Sequence, residues 1–354
     1  MEPGWVLPSY GIWVAYGNIG NRRPAMDSLE EVLRPMMTGA AGPLKDTFDW
    51  ISASHRGDKE GMYQTARRVY ANDPVGQSYT LALPANRNGR FAEVIQLFTA
   101  RDTSEAWVND WRTWDGQALA AMHLLGRPDD ELALARENIQ RRGYDWGTAL
   151  WEITALGALG RMTELDAALA RYAKLPETQS NTLSGALNVA AMELEAHGDK
   201  ARAMPYFQRR LDYYLVFPPE KQRTFAAAMA NAYGQVGNHK ESLSRYDSLS
   251  RANPANIQFL AMTGLMAAQL KDKAMLAEVD AKLVAEARPE MKSLALYWRS
   301  FIAAQRGDCA TAETLLKQGL EGRLNYNDYT YHRMNTWNGA KKCKNHPALT
   351  AGRQ

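Results

Sequence analysis

Six histidines, two cysteines and a few acids are the residues of this chain that could do chemistry. Histidines at His55, His123, His197, His239, His332 and His346 could ligate a metal ion or carry protons. Four of them lie within three residues of a glycine: His55 by Gly57, His123 by Gly126, His197 by Gly198 and His239 by Gly237. A histidine there can meet the last carbonyls of a helix, or water at the turn that follows. Occurring once per structural unit, the four would stand far apart, so no shared metal is expected. Cys309 follows Gly307-Asp308 and has no base beside it to activate a thiolate, so packing is its expected role. With only Cys309 and Cys343 present, a disulfide framework is excluded. A single bridge would tie the tail to the last unit in an oxidising compartment, and two free thiols are the expectation for a reducing one. Asp110, Asp115 and Glu152 are the acids to test if the chain holds a small-molecule pocket, and ordinary surface acids are expected. No phosphate loop, G-x-G-x-x-G, H-E-x-x-H or C-x-x-C occurs. The expectation is therefore no catalytic residue, no cofactor and no metal.

The elements that must position these residues are clearest over 224–254, TFAAAMANAYGQVGNHKESLSRYDSLSRANP. Met229, Ala230 and Tyr233 fall on one face of a first helix, and Ser242, Tyr246 and Leu249 on one face of a second. Gly237 can take positive φ and end the first helix; Pro254 closes the unit. Small residues at Ala230 and Ser242 let the two backbones approach. With Gly237 as a ruler, equivalent turns fall at Gly20, Gly57, Gly89, Gly126, Gly160, Gly198, Lys271 and Gly307, 32 to 39 residues apart. Seven and four positions before each turn, and five after it, stand apolar or small residues. The exception is Glu131, read as a one-residue slip in which Ala133 does the packing. This register resembles the tetratricopeptide repeat, a helix hairpin with a period of about 34 residues. The expected fold is all-α, a right-handed α-solenoid of about nine tetratricopeptide-like hairpins over 1–322, with a capping segment and basic tail over 323–354.

Composition agrees. β-Branched runs and strand-length alternation are scarce, so almost no sheet is expected. The net charge of +3 is small, and paired arginines such as Arg67-Arg68 and Arg209-Arg210 read as solvated helix faces, so no nucleic-acid partner is expected. No apolar run is long enough to span a bilayer, and the N-terminus lacks the pattern of a signal peptide. The location expected is cytoplasmic, unless a leader was removed. The first repeat begins without a polar cap, which implies that another segment precedes it in a longer parent.

Three stretches stand apart. The Pro- and Gly-rich 35–43 reads as a linker. Trp107, Trp111 and Trp114, spaced i, i+4, i+7, form a candidate aromatic patch, either a ligand platform or filling where the repeat period breaks. The inner wall of such an array is lined by first helices. Its positions six before the turn include Met192, Asn231, Leu265 and Phe301; those ten before include Tyr79, Asn188, Ala227, Ala261 and Tyr297. No lysine or arginine occurs in either column, which disfavours a clamp for a peptide carboxylate. Tyr79, Asn188, Asn231, Tyr297 and Phe301 are the candidate contacts for an extended or helical peptide.

Asp49-Trp50…Arg56-Gly57-Asp58, Ala121-Met122-His123-Leu124-Leu125-Gly126, Ala155-Leu156-Gly157-Ala158-Leu159-Gly160 and Glu193-Leu194…His197-Gly198 resemble the C-terminal tetratricopeptide region of bacterial serine/threonine protein kinases and related signalling or transcription regulators. The tail, His332-Arg333…Trp337…His346-Pro347-Ala348-Leu349, is similar to the closing segment of those regions. The kinase loops are missing: no Asp follows His55-Arg56 or His332-Arg333, and there is no Asp-Phe-Gly. The function this implies is a non-enzymatic scaffold that binds a protein or peptide, the interaction or sensory part of a signalling system. The alternative is a structural subunit of a larger assembly, and a third reading is a small-molecule-binding or enzymatic solenoid.

Overall fold

The computed structural model describes residues 23–74, 78–100, 112–178, 181–321 and 343. Among the described residues there are eighteen helices and no strands. They are α1 (Arg23–Met37), α2 (Pro43–Arg56), α3 (Lys59–Asn72), α4 (Ser78–Arg87), α5 (Phe91–Thr99), α6 (Arg112–Leu124), α7 (Pro128–Arg142), α8 (Trp146–Leu159) and α9 (Met162–Tyr172). Then follow α10 (Leu183–Ala196), α11 (Lys200–Leu215), α12 (Pro219–Thr224), α13 (Ala226–Gln235), α14 (His239–Ala252), α15 (Ile257–Leu270), α16 (Lys273–Val284), α17 (Pro289–Arg306) and α18 (Cys309–Glu321). None is long and apolar enough to cross a membrane.

The hairpin turns share one construction. Gly57, Gly89, Gly126, Gly160, Gly198, Gly237 and Gly307 all have positive φ, and Lys271 is the one non-glycine among the described residues that does, at 59°. The residue after each turn donates its N–H to the carbonyl of the residue four before the turn, five before itself. Asp58 N–H reaches Ala53 O at 2.8 Å, Asn238 N–H reaches Tyr233 O at 2.9 Å, and Asp272 N–H reaches Ala267 O at 2.9 Å. This bond satisfies a carbonyl orphaned at the end of the first helix, and the left-handed residue makes it reachable. The side chain of that same next residue then caps the second helix wherever it is Asp or Asn. Asp58 accepts from Gly61 N–H, Asp199 from Arg202 N–H and Asp272 from Met275 N–H. One short stretch thus stops one helix and starts the next.

The columns pack as small-residue crossings. Ala53, Ala85, Leu156, Leu194, Ala267 and Ala303, four before their turns, are all buried. Ser242 Oγ donates to Ala230 O at 2.7 Å, and in the last hairpin Ser300 Oγ donates to Ala312 O at 2.6 Å, the same pair of columns with roles exchanged. At Gly264 an added Cβ would stand 2.7 Å from Ile302 and 2.8 Å from Val279, so only glycine allows that approach.

The chain divides into two compact units, one running to Ala118 and the other from Leu119. In the first, α2 packs on α3, α3 on α4 and α4 on α5. Met26, Leu33, Met37 and Phe48 form one core there, and Pro35 sits inside α1, so that helix runs into the stretch expected as a linker. In the second unit α8 packs on α7, α9 and α10, and the core gathers Leu132, Ile153, Leu156, Leu165, Leu169, Leu187, Leu194 and Phe207. Further along, α15 packs on α14, α16 and α17. Cys309 and Cys343 are disulfide-bonded, with Cα atoms 5.4 Å apart, which corrects the expectation of two free thiols. The bridge fastens residue 343 to the start of α18.

Candidate functional site

The second unit carries an open groove of about 600 Å³. First helices supply most of its wall. Asn188 and Met192 come from α10, Ala227, Asn231 and Gln235 from α13, Phe259, Met262, Leu265 and Met266 from α15, and Trp298 and Phe301 from α17. Six of these stand in the two inner-wall columns: Met192, Asn231, Leu265 and Phe301 six before their turns, Asn188 and Ala227 ten before. The reason is helical spacing. Four residues are about one turn, so the two columns share a stripe, and each hairpin presents that stripe on the same side.

Not every candidate lies there. Ala261 and Tyr297 are buried, Tyr297 with only 1% of its surface exposed, packed against Trp298 and Phe301 as a core ring. Tyr79 belongs to the other unit, where it is half-buried on α4. Trp107 and Trp111 lie outside the described residues, as does the side chain of Trp114.

The groove also holds a residue that the column reading passed over. Arg210, from the second helix of its hairpin, is buried to 7% exposure and lines the groove. It is the inward member of a pair expected to be solvated, and only Arg209 is exposed. Arg210 Nη1 donates to Asn231 Oδ1 at 2.6 Å and to Gln235 Oε1. Gln235 Nε2 in turn donates to Asn188 Oδ1 at 2.9 Å. The guanidinium is held by amides, which orient it without neutralising it, and its Nε stays buried without a partner. Burial pulls its pKa down from the ordinary value, against the aromatic hydroxyls of Tyr214 and Tyr246. The Tyr246 phenol, first through burial, is pushed up to about 12. A buried cation without a counter-charge costs free energy that a bound anion would recover. The signal in the sequence that separates Arg210 from Arg209 is its place on the buried face of a second helix, beside Phe207 and Leu211.

The other expected sites also move. Asp115 and Glu152 are buried, not surface acids, and Asp110 lies outside the described residues. Glu152 is answered by Arg136 Nε at 3.3 Å and by Arg171, an ion-paired tie among α7, α8 and α9. Glu131 is fully buried while Ala133 is exposed, so there is no slip in that repeat. His123 and His197, expected far apart, meet edge to face with ring centroids 6.3 Å apart.

Compared with known proteins, the chain matches no family model and no curated sequence.

Proposed function

We propose that the chain is a repeat scaffold whose second unit binds a peptide segment of another protein in the groove from Asn188 to Phe301. On this reading the helix pairs are tetratricopeptide-like hairpins stacked as an α-solenoid, and the chain is the interaction or sensory part of a bacterial signalling system. The observation that carries it is Arg210. It lines a groove, it is desolvated, and its partners Asn231 and Gln235 bring no negative charge. A carboxylate suits that position, because a guanidinium binds it through two parallel hydrogen bonds and the low dielectric strengthens them. Met192, Met262 and Met266 with Phe259 supply an apolar, adaptable wall beside the charge. The ligand is thus a peptide with one acidic group, a side chain or a C-terminal carboxylate, flanked by large apolar residues.

Peptide libraries displayed with either free C-termini or internal acidic residues, selected on the full chain, test this. Enriched peptides should share an acid beside apolar residues and lose binding by about tenfold or more with Arg210→Gln. Met262→Ala, which leaves the arginine in place, should weaken the same peptides less. Enrichment without an acid, or binding that neither substitution changes, would overturn the reading.

A further inference from the structure

A second constellation in the same unit lies apart from the groove. His123, in the last turn of α6, points Nδ1 at Glu131 Oε2, 2.8 Å away on α7. Its other nitrogen, Nε2, stands 3.3 Å from Glu193 Oε2 on α10. The His197 Nε2, four residues on at the end of α10, stands 3.8 Å from that same oxygen. One atom from each of His123, Glu193 and His197 lies within 4.8 Å of the others. Glu193 is 2% exposed at its side chain and His123 10%, while His197 is 45% exposed and opens the cluster to solvent.

Two observations point to a cation site. First, Glu193 Oε2 is buried and accepts no well-formed hydrogen bond, although two imidazole nitrogens face it. A buried carboxylate oxygen without a partner is costly, and the atoms nearest to it are ligand atoms, not donors in good geometry. Second, among the described residues no lysine or arginine side chain pairs with Glu131 or Glu193, and the side chains turned to these buried carboxylates are imidazoles, the ligand type.

The geometry suits such an ion. Zinc bonds imidazole nitrogen and carboxylate oxygen at about 2.0–2.1 Å, so neighbouring ligands of a tetrahedral site lie about 3.3 Å apart. The His123–Glu193 separation is already 3.3 Å, and the half-exposed His197 must close on Glu193 from 3.8 Å and on His123 from within 4.8 Å. Glu131 fills the outer position that orients a ligating histidine, holding the Nδ1 proton and leaving Nε2 as the donor of electrons. Gly157 on α8 makes room, since a Cβ there would stand 2.7 Å from Glu193 Cβ. Both histidines sit at helix C-termini, where the carbonyl ends favour positive charge.

We infer that His123, Glu193 and His197 form a site for one divalent transition-metal ion of the zinc class, oriented by Glu131, with the fourth position open to water or to a donor from a partner. The site is independent of the groove, and neither proposal needs the other.

The test is calorimetric titration of tag-free, chelator-treated full-length chain with Zn²⁺, alongside the visible spectrum with Co²⁺. One equivalent should bind, with the intense ligand-field bands of a tetrahedral site. His197→Ala alters an exposed side chain and should fold normally, yet it should weaken Zn²⁺ at least about tenfold, as should Glu131→Gln through orientation of His123 alone. No saturable uptake by the wild-type chain overturns the inference. So does uptake that His197→Ala and Glu193→Gln leave unchanged, which would place the ion elsewhere.

Discussion

Glu152 and Glu193 are both buried on the first helix of a hairpin, in α8 and α10, and they are answered in opposite ways. Glu152 has Arg136 and Arg171, whose long stems reach from neighbouring helices while their heads stay partly in water, at 39% and 47% exposure. Arg171 also lies over the Tyr144 ring at 4.0 Å, and Arg136 holds Glu164 at 2.6 Å. That carboxylate is the hub of a closed network. Among the described residues no arginine pairs with Glu193. It has two imidazoles, one buried and one open, and an oxygen without a hydrogen bond. One fold thus carries a buried acid that holds helices together and another that waits for a ligand. Burial alone does not distinguish them; the identity and geometry of the partners do.

The sharpest way to break the contrast is to turn the first acid into the second. Arg136→Met with Arg171→Met leaves Glu152 buried without a counter-charge while keeping the apolar stems. Removing the partners of a buried charge costs about 3–5 kcal/mol, and the partial exposure of these arginines puts the loss near about 3 kcal/mol. Urea unfolding should show it as a lower midpoint, with each single variant losing less than half. A double variant as stable as the wild type would mean that water already reaches Glu152.

Gly157→Ala sharpens the comparison from the other side. The new Cβ would stand 2.7 Å from Glu193 Cβ and 3.4 Å from Ala190 O, contacts that backbone must relieve. Overpacking of this kind costs about 1–3 kcal/mol. The control is Gly185→Ala on α10, where the nearest atom is Thr182 Oγ1 at 3.8 Å and the helix should gain a few tenths to about 1 kcal/mol. Zn²⁺ affinity should fall with Gly157→Ala and hold with Gly185→Ala. Equal stability of the two variants would show that α8 and α10 can part at no cost.

Much of this all-α fold is legible in the sequence. The spacing predicts turns at Gly57 through Gly307, with positive φ argued at Gly237, and the one lysine among them, Lys271, also holds positive φ. Turn chemistry is local, so spacing reveals it. The sites were less legible, for a nameable reason. Repeat logic treats each unit as equivalent and reads departures as noise. Glu131 is the one acid in an apolar column and reads as a slip; it is the departure on which the histidine cluster turns. His123 and His197 are expected far apart because they belong to different hairpins, but Gly157 removes the side chain that would hold α8 off Glu193. Arg210 reads as half of a solvated pair, because the inner-wall columns cover only the first helix of each hairpin. Long-range contacts between unlike repeats leave no mark in a periodic pattern, whereas a polar residue in an apolar column does leave one.

The smallest expected effect separates the two acids most cleanly. Glu152→Gln weakens two ion pairs and should cost about 1–2 kcal/mol, because charge-assisted hydrogen bonds become neutral ones. Glu193→Gln, in chelated protein, replaces a carboxylate that only imidazoles face, and the amide can donate to a neighbouring imidazole or to Glu131. Its change should lie within about 1 kcal/mol. Added Zn²⁺ then inverts the order. At a hundredfold excess over its dissociation constant an ion stabilises the wild type by about 2.7 kcal/mol, and it should stabilise Glu152→Gln equally. Glu193→Gln should gain almost nothing. A Glu193→Gln variant that is destabilised without metal as strongly as Glu152→Gln would show the carboxylate to be a structural partner of an imidazolium, and the two acids would then be one device used twice.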